Sequence, residues 1–180
     1  MSEMIVVMGA SGHVGGEVAR RLLAAGRTVR AIARSADKLR ALKGADVKTG
    51  SLGDKTFLTG AVRGATTVFA MLPPDYAAAD MHASQKAVAE SIAASIQEAG
   101  VTHVVALSSI GAELSAGTGP IAHLHAFEAL LNGVPGLNVV HVRAAYFMEN
   151  LLNNIGLIKS AGVNGATVKA DRPIAMTATR

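Results

Sequence analysis

What most constrains this chain is a cadence: six short, β-branched apolar runs alternate with longer stretches of helical spacing. The runs are Met4–Met8, Thr28–Ala33, Asp46–Thr49, Thr66–Met71, Thr102–Leu107 and Asn138–Val142. Between them the spacing predicts helices at Val14–Ala25, Ala36–Leu42, Lys55–Val62, Asp80–Ala99 and Ile121–Leu131, with a further helix expected after the last run over Phe147–Ala161. Strands that alternate with helices imply crossover units around a parallel sheet. Gly26, Gly44, Gly64 and Gly100 each stand just past a predicted helix, where a left-handed residue costs least. Right-handed crossovers then give an α/β, doubly wound sheet of strand order 3-2-1-4-5-6, with ligands at the carboxyl ends of the strands.

The first strand runs into Gly9-Ala10-Ser11-Gly12-His13-Val14-Gly15, which opens the first helix. In that context glycines have separate tasks. Gly9 permits the tight turn, Gly12 lets backbone amides approach a pyrophosphate, and Gly15 lets the helix pack on the sheet. His13 and Val14 fall in the first helical turn, whose free amides favour an anion. Ser11 can donate to phosphate or cap its own turn. Nineteen residues after Gly15, where an acidic residue would take ribose hydroxyls, stands Arg34. A guanidinium there holds a 2'-phosphate in a bidentate fork, so the expected cofactor is NADP(H) in preference to NAD(H). Lys38 is a supporting cation one turn on, and Ser35 is expected to cap the next helix.

Composition narrows the alternatives. The 180 residues are half apolar and 17% charged, which suits a soluble domain with a core. There is no Trp and only two Tyr and four Phe, so aromatic platforms for stacked bases are lacking and nucleic acid is disfavoured. Of the net charge of +4, the excess is local: Arg20, Arg21, Arg27, Arg30, Arg34, Lys38, Arg40 and Lys43 face Asp37 alone within that stretch. A phosphorylated ligand or a solvated helix face accounts for it. The absence of cysteine fits a reducing compartment, and no apolar run approaches a membrane span, so the expected location is cytoplasmic.

Together, Gly9–Gly16, the Arg34-Ser35 corner, Ala106-Leu107-Ser108-Ser109-Ile110-Gly111 and Val142-Arg143-Ala144-Ala145-Tyr146-Phe147-Met148-Glu149-Asn150 resemble the NmrA-like atypical short-chain dehydrogenases/reductases. The resemblance implies a Rossmann fold that binds NAD(P). It includes quinone and azo-dye reductases as well as redox-sensing regulators that hold the cofactor without turning it over. It further implies an oxidoreductase passing hydride to a quinone-like or other small electron-poor acceptor, or a non-catalytic sensor acting through a protein partner. Residues 1–146 would be the cofactor domain and 147–180 the start of an incomplete substrate-side region. Family members commonly carry Gly-Asp after the third strand. Here Gly50-Ser51 stands in its place, leaving Leu52 beside the adenine and Asp54 as a helix cap.

For catalysis the resemblance supplies few groups. Ser108 and Ser109 end the fifth strand near the nicotinamide ribose, or bond their own turn. Met71, Leu72 and Pro73 line the cofactor trough, and Tyr146, Phe147 and Asn150 wall the substrate side. Tyr76 is followed at the fourth residue by Asp80 and Tyr146 by Asn150, so the Tyr-x-x-x-Lys pair of many short-chain reductases is absent. His123 and His125 are two apart and diverge by about 200° on a helix, which separates them as metal ligands. His103 and His141 fall on strands, so no metal is expected, and His125 is kept as a weak proton-donor candidate.

Overall fold

A computed structural model describes residues 3–75, 77–165, 169 and 171–179. The chain divides into two compact units, Met1–Arg143 and Ala144–Arg180.

The first unit is built on a six-stranded sheet of order β3-β2-β1-β4-β5-β6, the order expected from the crossovers. Its strands are β1 (Met4–Met8), β2 (Thr28–Ala33), β3 (Asp46–Thr49), β4 (Thr67–Met71), β5 (His103–Ser109) and β6 (Asn138–Ala144). The pairings of β1 through β5 are parallel, with Ile5 beside both Val29 and Thr67 and Val68 beside Val104. Helices α1 (His13–Ala24), α2 (Lys55–Val62), α3 (Met81–Glu98) and α4 (Ala122–Asn132) connect them.

The helices sort onto two faces. Gly15 and Ala19 of α1, four apart, are buried toward Val7, Val29, Ala31 and Phe69. On the other face Leu58 and Val62 of α2, Ile92 and Ile96 of α3, and Phe127 and Leu131 of α4 pack on Val6, Met8, Val68 and Ala106. Strand residues alternate between these cores, as a period of two requires. Asp54 caps α2 by accepting from the Phe57 amide at 3.0 Å, the cap read from the sequence, and Asp80 caps α3 through Ala83 at 2.9 Å. β6 lies at the sheet edge, with Val140 and Val142 exposed.

Two predicted helices are corrected. In place of a helix over Ala36–Leu42 there is one 3-10 turn, Asp37–Leu39, that buries Leu39. Seven residues are too few to hold a helix without packing, and one apolar anchor is enough to return the chain to β3. Ser35 caps nothing, because Ala36 holds the cap position before the turn and no side chain caps it.

In the second unit the predicted helix over Phe147–Ala161 is also broken. Tyr146 and Phe147 form strand β7, paired in parallel with β8 (Met176–Thr177). A 3-10 segment, Met148–Asn154, and helix α5 (Ile155–Ala161) follow. Glu149 ties the unit's ends together, accepting from the Thr179 amide at 2.9 Å and its hydroxyl at 2.5 Å. Among the described residues no helix is long and apolar enough to cross a membrane.

Candidate functional site

Across the carboxyl ends of β1 to β4 opens a cleft of about 270 Å³. Its floor is the turn from β1 into α1. Gly9 is left-handed at φ +65, and a Cβ there would meet the Met71 sulfur at 2.8 Å. Gly12 precedes α1 in an extended conformation, and a Cβ on it would lie 3.3 Å from the Gly9 carbonyl oxygen. No side chain caps α1, and its first turn holds no acid, so its amide end is left to a ligand. Gly15 is closed off. A Cβ there would clash with the Gly9 carbonyl oxygen and come within 2.9 Å of the Met8 oxygen.

Arg34 lines the cleft at the end of β2 and is exposed. It makes no hydrogen bond or ion pair among the described residues, unlike most of the basic stretch around it. Arg20 and Arg21 hold Glu17 at 2.5 and 2.6 Å, pushing its carboxyl down to about 2. Arg30 holds Asp46 on the neighbouring strand at 2.7 Å, and Arg40 holds Asp37 at 2.7 Å. Arg27 stands 3.6 Å from Glu3. Carboxylates outside the stretch thus neutralise much of the excess read from sequence. Lys38 is exposed and, like Arg34, unpaired among the described residues, but it lies outside the cleft lining.

Leu52, Gly50 and Gly53 form the wall beyond β3, and a Cβ on Gly50 would strike the Phe57 ring at 2.6 Å. Met71 and Pro73 line the β4 side, whereas Leu72 turns into the core. Ser11 is in the lining, while His13 and Val14 are outside it and Val14 packs on the core. The sequence reading missed the far wall, Ser84, Gln85 and Val88 of α3. Val88 follows Gln85 by three residues and Ser84 by four, which puts it on a helix face with each, a signal that was present but shared with every amphipathic helix.

The proposed chemical groups are occupied elsewhere. Ser108 is buried outside the cleft lining, and its hydroxyl donates to Glu128 at 2.5 Å. Arg143 closes a fork on the same carboxylate, with Nε at 3.0 Å and Nη2 at 2.6 Å. That fork, aided by Ser108 and opposed by burial, holds the Glu128 carboxyl below its usual range. Ser109 donates to the Ile110 carbonyl at 3.0 Å, the local turn bond that was the alternative reading. His125 Nδ1 sits 2.8 Å from the Ala112 carbonyl, which can only accept, so Nδ1 carries the hydrogen. In the neutral ring Nε2 is therefore an acceptor, and His125 donates elsewhere only when protonated. His82 Nδ1 and His123 Nε2 are 3.0 Å apart between α3 and α4. Tyr146, Phe147 and Asn150 belong to the second unit, and Tyr76 lies outside the described residues.

A parallel sheet wound in this order, with a glycine turn under a cleft at its strand ends, defines a Rossmann-type α/β domain. Within that class the chain belongs to the NmrA-like family, which it matches over residues 1–179. It is 35% identical over 173 residues to a (4-alkanoyl-5-oxo-2,5-dihydrofuran-3-yl)methyl phosphate reductase of Streptomyces griseus, covering 96% of this chain and 57% of the relative. Triphenylmethane reductase of Citrobacter sp., solved with NADP(H), superposes at a TM-score of 0.72 with 25% identity, over 89% of this chain and 55% of that one. An NADPH-dependent quinone oxidoreductase of Escherichia coli, solved with NADPH, shares the fold at 0.74 and 22% identity, over 88% and 55%. The chain spans little more than half the length of these relatives.

Proposed function

We propose that this chain holds NADP(H), in preference to NAD(H), for an oxidoreductase that passes hydride to a quinone-like or other small electron-poor acceptor. The observation that carries the reading is the cleft itself, where an uncapped helix end over Gly9, Ser11 and Gly12 faces a wall bearing the unpaired Arg34. These residues fit a dinucleotide phosphate. Gly12 leaves the room a pyrophosphate needs, the α1 amides supply donors, and Arg34 matches a 2'-phosphate. When bound, the cofactor supplies the hydride. Leu52 and Met71 would give the base and sugars apolar walls, with Pro73 beside them. Residues 147–180 would begin a substrate-side region, with Tyr146, Phe147 and Asn150 as its candidate substrate residues.

No proton donor is required for a quinone, because solvent can deliver the protons. Tyr146→Phe is therefore expected to keep most NADPH-dependent quinone turnover, while Phe147→Ala, which removes apolar bulk, lowers it more. A loss of about a thousandfold for Tyr146→Phe, with Phe147→Ala unaffected, would establish the tyrosine as general acid and overturn the hydride-only mechanism.

A second reading, a redox sensor that binds the cofactor and signals to a protein partner, is favoured by one observation. Ser108, Ser109 and His125 all commit their hydrogens within the protein. Steady NADPH oxidation across a quinone panel supports the oxidoreductase; tight NADPH binding with no oxidation supports the sensor.

A further inference from the structure

Gln85 is a side chain of the cleft wall with a fixed polar end and no assigned task. It is 5% exposed, and its Nε2 donates to the Pro73 carbonyl at 2.6 Å. A carbonyl only accepts, so this bond settles which end of the amide is nitrogen. The other end, Oε1, has no hydrogen-bond partner among the described residues and is not sealed in the core. A nearly buried amide oxygen in that state is open to a ligand that donates to it.

Its surroundings indicate what kind of ligand. Val88, one turn along the same helix face, would lie 3.6 Å from a Cβ on Gly53, so α3 closes against the turn that carries Leu52. Leu52 and Val88 make this end of the cleft apolar, a slot suited to a flat ring. The neighbouring polar groups each have a partner within the protein. Ser51 Oγ accepts from the Gly53 amide at 3.1 Å, Asp54 caps α2, and Asp75 accepts from Ser84 Oγ at 3.2 Å. The slot lies beyond β2 and β3, on the side that Arg34 marks for a phosphorylated ribose.

We propose that Gln85 is a specificity residue for the purine base, accepting through Oε1 from the exocyclic amine of adenine and rejecting a base with a carbonyl at that position. The inference rests on the cofactor reading above and deepens it. Pro73, by holding Nε2, keeps the amide from turning its donor end to the base. A site that offers only an acceptor discriminates strongly against a ligand that offers another acceptor.

The test is an equilibrium titration, followed by nucleotide fluorescence, of NADPH and its hypoxanthine analogue, which has oxygen in place of the 6-amino group. The unmodified protein is expected to bind the adenine form about tenfold more tightly or better. Gln85→Met is expected to bring that ratio near one, whereas a role limited to anchoring Pro73 would weaken both nucleotides alike and leave the ratio intact. Gln85→Glu presents an oxygen in either protonation state and is expected to keep the preference. A ratio near one in the unmodified protein, or an unchanged ratio in folded Gln85→Met, overturns the proposal while the cofactor reading stands. Binding of neither nucleotide overturns both.

Discussion

Gly12 and Gly15 share one motif but face different limits. Gly12 has extended backbone that any residue adopts, and its added Cβ would meet a single carbonyl oxygen at 3.3 Å. At Gly15 the Cβ would run into the backbone of Gly9 and Met8, with the Gly9 carbonyl carbon at 2.8 Å. Gly12→Val is therefore expected to fold, with a melting temperature within about 4 °C of the parent, and to lose NADPH binding. Gly15→Ala is expected to cost about 2–3 kcal/mol of stability from overpacking alone. Melting curves and nucleotide titration of the two variants check this, and a folded Gly12→Val that binds NADPH normally would remove the cradle assignment. At this scale the sequence showed what depends on local order: the glycines, Arg34 and the Asp54 cap. Gln85 and the Ser108–Glu128–Arg143 cluster were hidden, because each depends on residues that only the folded sheet and helices bring together.

Glu128 joins three elements, because its carboxylate on α4 holds Ser108 at the end of β5 and Arg143 on β6. Replacing it with alanine strands the Ser108 hydroxyl and frees the guanidinium, which should cost about 2–3 kcal/mol. The pH dependence follows from the lowered carboxyl. A group that releases its proton more readily in the folded state stabilises the fold above its ordinary value, and that contribution fades as pH falls through the lower folded value. The stability gap between the parent and Glu128→Gln, measured by denaturant unfolding, is thus expected to be full near neutrality and to narrow below about pH 4. A gap that widens on acidification would mean that the fork with Arg143 does not hold the charge. Strand positions were legible because apolar β-branched runs declare themselves locally. Ala36–Leu42 was not, since one turn served where a helix was expected. The start of the Phe147–Ala161 segment was hidden by its pairing with residues some thirty positions later.

For the whole molecule, strand order was legible from cadence and chirality together, and charge placement was not. Sequence counted the basic stretch as an excess, whereas partners at helical and cross-strand distances leave Arg34 as the free cation on the cleft wall among the described residues. The second unit is a small parallel pair with short helical segments, and its fourteen-residue run from Met148 to Ala161 leaves several apolar side chains exposed, Leu151, Leu152 and Ile158 among them. The cofactor assignment concerns the first unit alone. Its most direct test is calorimetric titration of the chain and of Arg34→Ala with NADPH and NADH. The unmodified chain is expected to bind NADPH more tightly than NADH. In Arg34→Ala, loss of the charge-assisted phosphate contact, about 1.5–3 kcal/mol, should weaken NADPH by roughly ten- to a hundredfold and leave NADH nearly unchanged. Equal weakening of both nucleotides, or no binding of either to the unmodified chain, would contradict it.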